Sequence, residues 1–238
     1  MTAAGRIVPA ATVVPLRDGP GGVEVLLLRR SSRGSFGGMW VFPGGQVDDV
    51  DTPGEPGMAE PGSSTEISAA RRAAVREAYE EASLELDELE LVALSFWLPP
   101  AEAPRQFATW FFLAPAGGEI VVDRGEIQEH RWMRPVEAFA ARDRGEIELA
   151  PPTFTSLWWV GLRPDVASAL ADAASKEPDR FETRVGLGDD RRLAACLWAG
   201  DAGYSDGDID RPGPRRRLWV DPAGWRIEID DWPPAPAT

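Results

Sequence analysis

The sequence predicts a mixed-sheet α/β layer architecture followed by a β-rich C-terminal extension. Three observations carry this expectation. Strand-length apolar runs open the chain, one long helical pattern ending near Leu84 interrupts them, and strands resume before further helical patterns. Beyond Lys176 the runs become shorter and are separated by Gly/Asp-rich turns. The expected division is a main domain over residues 1–176, with an insertion at 46–64, and a β extension over 177–238 packed on it.

Residues 7–17 and 23–30 are β-branched and leucine-rich runs joined by Asp18-Gly19-Pro20-Gly21-Gly22, a hairpin signal. Trp40-Val41-Phe42 reads as a short strand running into Pro43-Gly44-Gly45, where glycine lets backbone approach a ligand. From Gln46 to Ser64 the composition is that of an exposed loop. Ser63 and Glu66 have capping-box spacing, and Ile67, Ala70, Ala74 and Ala78 then recur as a small-residue face suited to close packing on a sheet.

Leu89 to Leu98, Gln106 to Leu113 and Ile127 to Met133 read as strands, and Pro135 to Ala141 as a helix with proline in its first turn. Leu149 to Thr153 reads as an extended loop before helical patterns at Phe154 to Leu162 and Val166 to Ser175. The extension is expected to hold strands at Phe181 to Val185, Leu193 to Trp198, Arg216 to Val220 and Trp225 to Ile229. Trp198, Trp219 and Trp225 are expected to pack it on the main body, with a loosely held tail from Trp232.

Composition narrows the function. With 25 basic and 39 acidic residues the net charge is −14, which argues against non-specific binding to nucleic acid or to an anionic membrane. Cys196 is the single cysteine, so a disulfide framework or thiolate metal cluster within one chain is excluded. His130 is the single histidine, and it lies in an alternating segment where a strand-surface role is expected. Pro9 and Pro15 interrupt the N-terminal apolar run, no apolar run reaches 18 residues, and the expected location is cytoplasmic.

The residues that carry chemistry lie at the end of the long helix, in Arg76-Glu77-Ala78-Tyr79-Glu80-Glu81. Positions 77, 80 and 81 are i, i+3 and i+4 neighbours, so three like charges share one helix face at a cost of roughly 0.2–0.5 kcal/mol per pair. A hard divalent cation, Mg²⁺ or Mn²⁺, would turn that repulsion into attraction. A solvated acidic face with an ordinary Arg76–Glu80 pair is the competing reading of the helix alone.

Taken with Phe42-Pro43-Gly44-Gly45, this helix resembles the box of the Nudix hydrolases, G-x5-E-x7-R-E-U-x-E-E-x-G-U with U aliphatic. Gly45 and Arg76-Glu77 with Glu80-Glu81 match its two ends, although 31 positions separate Gly45 from Arg76 against 14 in the pattern. Ser68 stands where counting back from Arg76 places the first glutamate, and Ser83 replaces the terminal glycine. The resemblance covers residues 7–162 and implies a Nudix-type α/β/α sandwich with a mixed β-sheet. It further implies that Glu77, Glu80 and Glu81 bind Mg²⁺ or Mn²⁺, with Glu77 also orienting or deprotonating the attacking water. Arg76 would steady the carboxylates, the Gly45 carbonyl would add a ligand, and Glu126, or secondarily Glu129, would supply a later acidic one. Asp48, Asp49 and Asp51 read either as further metal contacts or, the favoured reading, as solvated loop residues.

The interrupted box, with Ala108 to Phe112 and Glu148 to Phe154, is most similar to the peroxisomal coenzyme A diphosphatase subgroup. Leu27-Leu28-Arg29-Arg30-Ser31, followed by Gly38, partly resembles the coenzyme A signature of related enzymes. Arg29, Arg30 and Arg105 are the expected phosphate clamps, and Trp40, Phe107 and Trp110 the aromatics for an adenine, with core packing as their competing role. Arg215-Arg216-Arg217 reads either as a phosphate patch or as the guard of an edge strand. The resemblance thus implies a Mg²⁺-dependent diphosphohydrolase acting on a nucleotide diphosphate, with coenzyme A or acyl-coenzyme A as the leading substrate. ADP-ribose, dinucleoside polyphosphates or NADH are the alternative substrates, and a catalytically weak nucleotide-binding regulatory module is the alternative of another class. No nucleic acid or membrane partner is expected, and a homodimer is left open.

Overall fold

A computed structural model describes residues 7–32, 36–52, 64–221 and 224–230. Its first sheet is built from β1 (Ile7–Gly19), β2 (Gly22–Arg30), β3 (Trp40–Val41), β4 (Gly44–Gln46), β5 (Val92–Leu98), β6 (Gln106–Pro115), β7 (Ile127–Met133) and β8 (Asp179–Glu182). The order is β3-β2-β1-β6-β5-β8, with β4 paired to β1 and β7 to β2. β1 runs parallel to β6 along ten residue pairs, from Ile7 opposite Gln106 to Leu16 opposite Pro115. Its other edge is shared, taking β4 at Ala10 to Thr12 and β2 at Leu16 to Gly19.

Alternation along the strands fills two cores. Leu26 and Leu28 of β2 and Trp110 and Phe112 of β6 face α1 (Ser64–Ala82). Val25, Leu27, Phe111 and Leu113 face the opposite layer of α2 (Pro135–Asp143), α3 (Pro151–Gly161) and α4 (Val166–Ala174). The result is an α/β/α sandwich whose central strands are apolar on both sides. Helix α1 meets the sheet through Ala70, Ala73, Ala74, Ala78 and Ala82, all buried, and these small side chains bring its backbone close to β1 and β4.

The extension adds a second, antiparallel sheet in the order β12-β11-β10-β9. These strands are β9 (Arg184–Leu187), β10 (Leu193–Leu197), β11 (Arg216–Asp221) and β12 (Gly224–Ile229). The expected strand from Phe181 to Val185 is two strands in different sheets. β8 runs parallel to β5 as the edge of the first sheet, whereas β9 belongs to the second. Thr183 makes the break: its N–H donates to the Leu98 carbonyl at 2.9 Å, and its hydroxyl accepts the Trp198 indole N–H at 3.3 Å.

Three further expectations need correction. Pro151 to Thr153 are the first turn of α3 rather than a loop, because proline lacks an N–H that the first turn would leave unused, and its φ is already helical. Trp198 enters the main core and Trp225 packs against it, but Trp219 does neither. It lies on the other face of β11, half-buried, with its indole N–H on Glu228 and the guanidiniums of Arg217 and Arg226 against its ring. Arg217 is neither a phosphate patch nor an edge guard: it is fully buried and paired with Asp201. Ser63, residues 53–63 of the expected loop and the tail from Trp232 lie outside the described residues. Among the described residues no helix is long and apolar enough to cross a membrane.

Candidate active site

The site forms where the β3–β4 turn meets the C-terminal half of α1. The Pro43 carbonyl is fixed on β1, accepting the Val13 N–H at 3.0 Å and the Thr12 hydroxyl at 2.8 Å. That anchoring aims the next two backbone units at α1. Gly44 N–H donates to Glu81 Oε2 at 3.0 Å. Gly45 lies so close to Glu77 that a Cβ there would stand 2.3 Å from Oε1, so a side chain would have to displace the Glu77 carboxylate.

Arg76 gathers the rest. Its Nη1 donates to Glu77 Oε1 at 2.9 Å and to Glu80 Oε2 at 3.2 Å. Nε and Nη2 hold the two oxygens of Asp51 at 3.2 and 2.9 Å, and Nη2 also reaches the Gln46 carbonyl at 3.0 Å. The hydrogen bonds to Asp51, the largest cause, and the bond to Glu77, with the charges of both, drive its pKa above the ordinary arginine value against the opposing effect of burial.

Asp51 overturns its reading as a solvated loop residue. It is 3% exposed, closes a short 3-10 turn over Asp49–Asp51 and accepts the Asp48 N–H at 2.9 Å. Its signal was present in the sequence. Counting forward from Gly45, five residues precede Asp51, which is the spacing G-x5-acid of the box. The acidic partner of the box arginine is therefore Asp51, the extra residues fall between Asp51 and Arg76, and Ser68 is not its replacement. Of the segment from Gln46 to Asp51, Gln46, Asp48, Asp49 and Val50 are exposed as expected, while Asp51 is built into the site.

A second arginine serves the other half of the cluster. Arg30, at the end of β2, donates from Nη1 to Glu81 Oε1 at 3.2 Å and from Nη2 to Glu126 Oε2 at 2.5 Å. Glu126 is brought there by the segment before β7. Asp123 N–H donates to the Glu81 carbonyl at 3.3 Å, the Asp123 carboxylate accepts the N–H groups of Glu126 and Ile127, and the Glu126 carbonyl accepts Ser31 N–H at 2.6 Å.

The structure therefore brings together Gly45, Arg76, Glu77, Glu80, Glu81, Arg30 and Glu126 from four stretches of chain. Other sequence candidates lie elsewhere. Arg29 alternates away from Arg30 and faces Glu129 at 3.7 Å. Trp40 and Trp110 are core residues, 2% and 5% exposed, so neither offers a free face to a base. Phe107 is half-buried near the start of β6, opposite Val8, and Arg105 is exposed in the turn before it.

The donor set suits a hard cation. Burial is the main cause raising the Glu77 carboxyl, opposed by Arg76 and reinforced by Glu80 and Asp48. Burial likewise pushes Glu81 up to about 7, opposed by Gly44 N–H and Arg30 and reinforced by Glu77 and Glu126. Buried oxygens that raise one another's pKa are groups a divalent cation would stabilise as anions. Among the described residues no three carboxylates stand close enough to grip an ion as placed.

Comparison with known proteins identifies the family and the fold. The model of the NUDIX domain family matches residues 6–153. The crystal structure of a NUDIX hydrolase from Alicyclobacillus acidocaldarius superposes with a TM-score of 0.60 at 24% identity, covering 74% of this chain and 99% of that one. A MutT NUDIX hydrolase from Burkholderia pseudomallei gives a TM-score of 0.45 at 22% identity, covering 64% and 97%. No curated protein matches the sequence.

Proposed function

This chain belongs to the NUDIX domain family, and from that membership we propose that it is a divalent-metal-dependent hydrolase cleaving the diphosphate linkage of a nucleotide-containing substrate. The observation that carries the reading is the loop–helix unit, in which one arginine joins Asp51, Glu77 and Glu80 while the Gly44-Gly45 turn fixes Glu77 and Glu81. Glu77, Glu80 and Glu81, with the Gly45 carbonyl and Glu126, would hold Mg²⁺ or Mn²⁺. Such an ion, when bound, lowers the pKa of water and offsets diphosphate charge. The chain's own residues supply the order. Arg76 fixes the rotamers of Glu77 and Glu80, Gly44 N–H orients Glu81, and Glu77 would orient the attacking water or take its proton.

Among nucleotide diphosphates, we propose coenzyme A or its thioesters. Support comes from the interrupted box and from Leu27-Leu28-Arg29-Arg30-Ser31 leading into the same turn, with Arg30 beside the acidic cluster. The test is turnover of coenzyme A, ADP-ribose, dinucleoside polyphosphates, NADH and nucleotide sugars with Mg²⁺ or Mn²⁺, products identified by mass spectrometry. Cleavage is expected to require the metal and to fall by at least about a thousandfold in Glu80→Gln/Glu81→Gln, the scale expected when transition-state charge stabilisation is lost. Turnover that survives chelation or the double variant would refute the mechanism.

A further inference from the structure

The acidic cluster carries two arginines with different attachments. Arg76 lies on α1 itself and is held by Asp51 and the Gln46 carbonyl as well as by the glutamates. Arg30 comes from the end of β2 and forms ion pairs with Glu81 and Glu126. Its hold is lopsided. Glu81 is 6% exposed and has a second donor in Gly44 N–H, whereas the Glu126 carboxylate is 67% exposed on a segment fixed through its backbone. The guanidinium thus joins a buried carboxylate to an exposed one, and its own side chain is 21% exposed, so a path to solvent exists.

We propose that Arg30 is a built-in competitor for the metal. It neutralises Glu81 and Glu126 in the metal-free protein, yields their oxygens when a divalent cation loads, and is then free to meet the diphosphate of the substrate. The proposal rests on the metal-site reading above and adds a role for one residue. The physical reason is charge balance: one set of oxygens cannot serve a guanidinium and a divalent ion at full strength together. A planar guanidinium released beside the cluster is suited to bidentate phosphate recognition. Arg76 cannot take this part, since Asp51 and Gln46 retain it.

The prediction is a pair of effects of opposite sign. Mn²⁺ binding to protein without substrate, followed by electron paramagnetic resonance, is expected to tighten about tenfold or more in Arg30→Gln, because a unit positive charge next to the ligands is removed. Imidodiphosphate affinity at saturating Mg²⁺, measured by calorimetry, is expected to weaken about tenfold in the same variant, as a charge-assisted contact is lost. Arg30→Lys, which keeps the charge, is expected to return Mn²⁺ affinity toward that of the unmodified protein and serves as the folding control. A supporting role for Arg30 would lower both affinities together, and that result, or an unchanged Mn²⁺ affinity, would overturn the proposal. Failure of the unmodified protein to bind Mn²⁺ would instead remove the metal-site reading itself, and this proposal with it.

Discussion

A side chain at Gly45 would meet the Glu77 carboxylate across the turn. Gly45→Ala is expected to displace Glu77 and to lower kcat/KM by about a hundredfold, the cost of misplacing a catalytic group by an ångström. Circular dichroism should show the fold retained. Ser83 poses the opposite case. It closes α1 in the left-handed region, φ 51, with its N–H on Tyr79 and the Leu84 N–H reaching Ala78. The pattern's glycine would adopt this conformation without strain, so the serine changes the residue but not the cap. Ser83→Gly is expected to raise stability by about 1 kcal/mol in denaturant unfolding, the usual cost of holding a non-glycine residue there.

At the scale of elements, α1 and the β3–β4 turn form the proposed catalytic unit, and β10 and β11 with the loop between them form a structural one. Arg217 on β11 and Asp201 on that loop are both fully buried as side chains, joined by two hydrogen bonds at 2.6 and 2.7 Å, and Arg217 also reaches the Ile209 carbonyl at 2.6 Å. Burial would by itself raise Asp201. The bonds from Arg217 and from the Arg216 and Gly203 N–H groups outweigh it and hold the carboxyl below its ordinary 3.8. A depressed folded-state pKa gives stability that is present above the unfolded value and lost as pH falls through the folded one. Thermal unfolding across the acid range should therefore show a loss beginning below about pH 4 that is weakened in Asp201→Asn. At neutral pH, removing one partner with Arg217→Met is expected to cost about 3–5 kcal/mol, since it leaves a buried charge unpaired.

At the scale of the molecule, the extension is stitched into the sandwich. β8 is the last strand of the first sheet, and Phe181 and Trp198 pack on Trp97 of β5, with ring centroids 4.2 and 5.6 Å away. Trp225 of β12 meets Phe154 of α3 at 5.4 Å. A chain ended at Lys176 would lose an edge strand and bare these aromatic faces. It is expected to aggregate, or to elute from size exclusion as an expanded species with near-ultraviolet dichroism lost. A compact, well-dispersed truncated protein would show the extension to be dispensable for folding.

What the sequence determined by itself is local. The periodicity of 2 in the strands, the alanine face of α1, the Pro43-Gly44-Gly45 turn and the run from Arg76 to Glu81 are properties of residues a few positions apart, and the order of elements follows from them. Asp51 was also legible, by counting forward from Gly45, but its composition-matched neighbours disguised it as loop. Only the tertiary structure decided which charges meet. Arg30 finds Glu126 across 96 positions and Arg76 finds Asp51 across 25. Arg217 is buried rather than displayed, and one expected strand is divided between two sheets at Thr183. Such pairings leave no periodic trace, because burial and ion pairing depend on what the sheet brings together and not on the residues beside each partner in the chain.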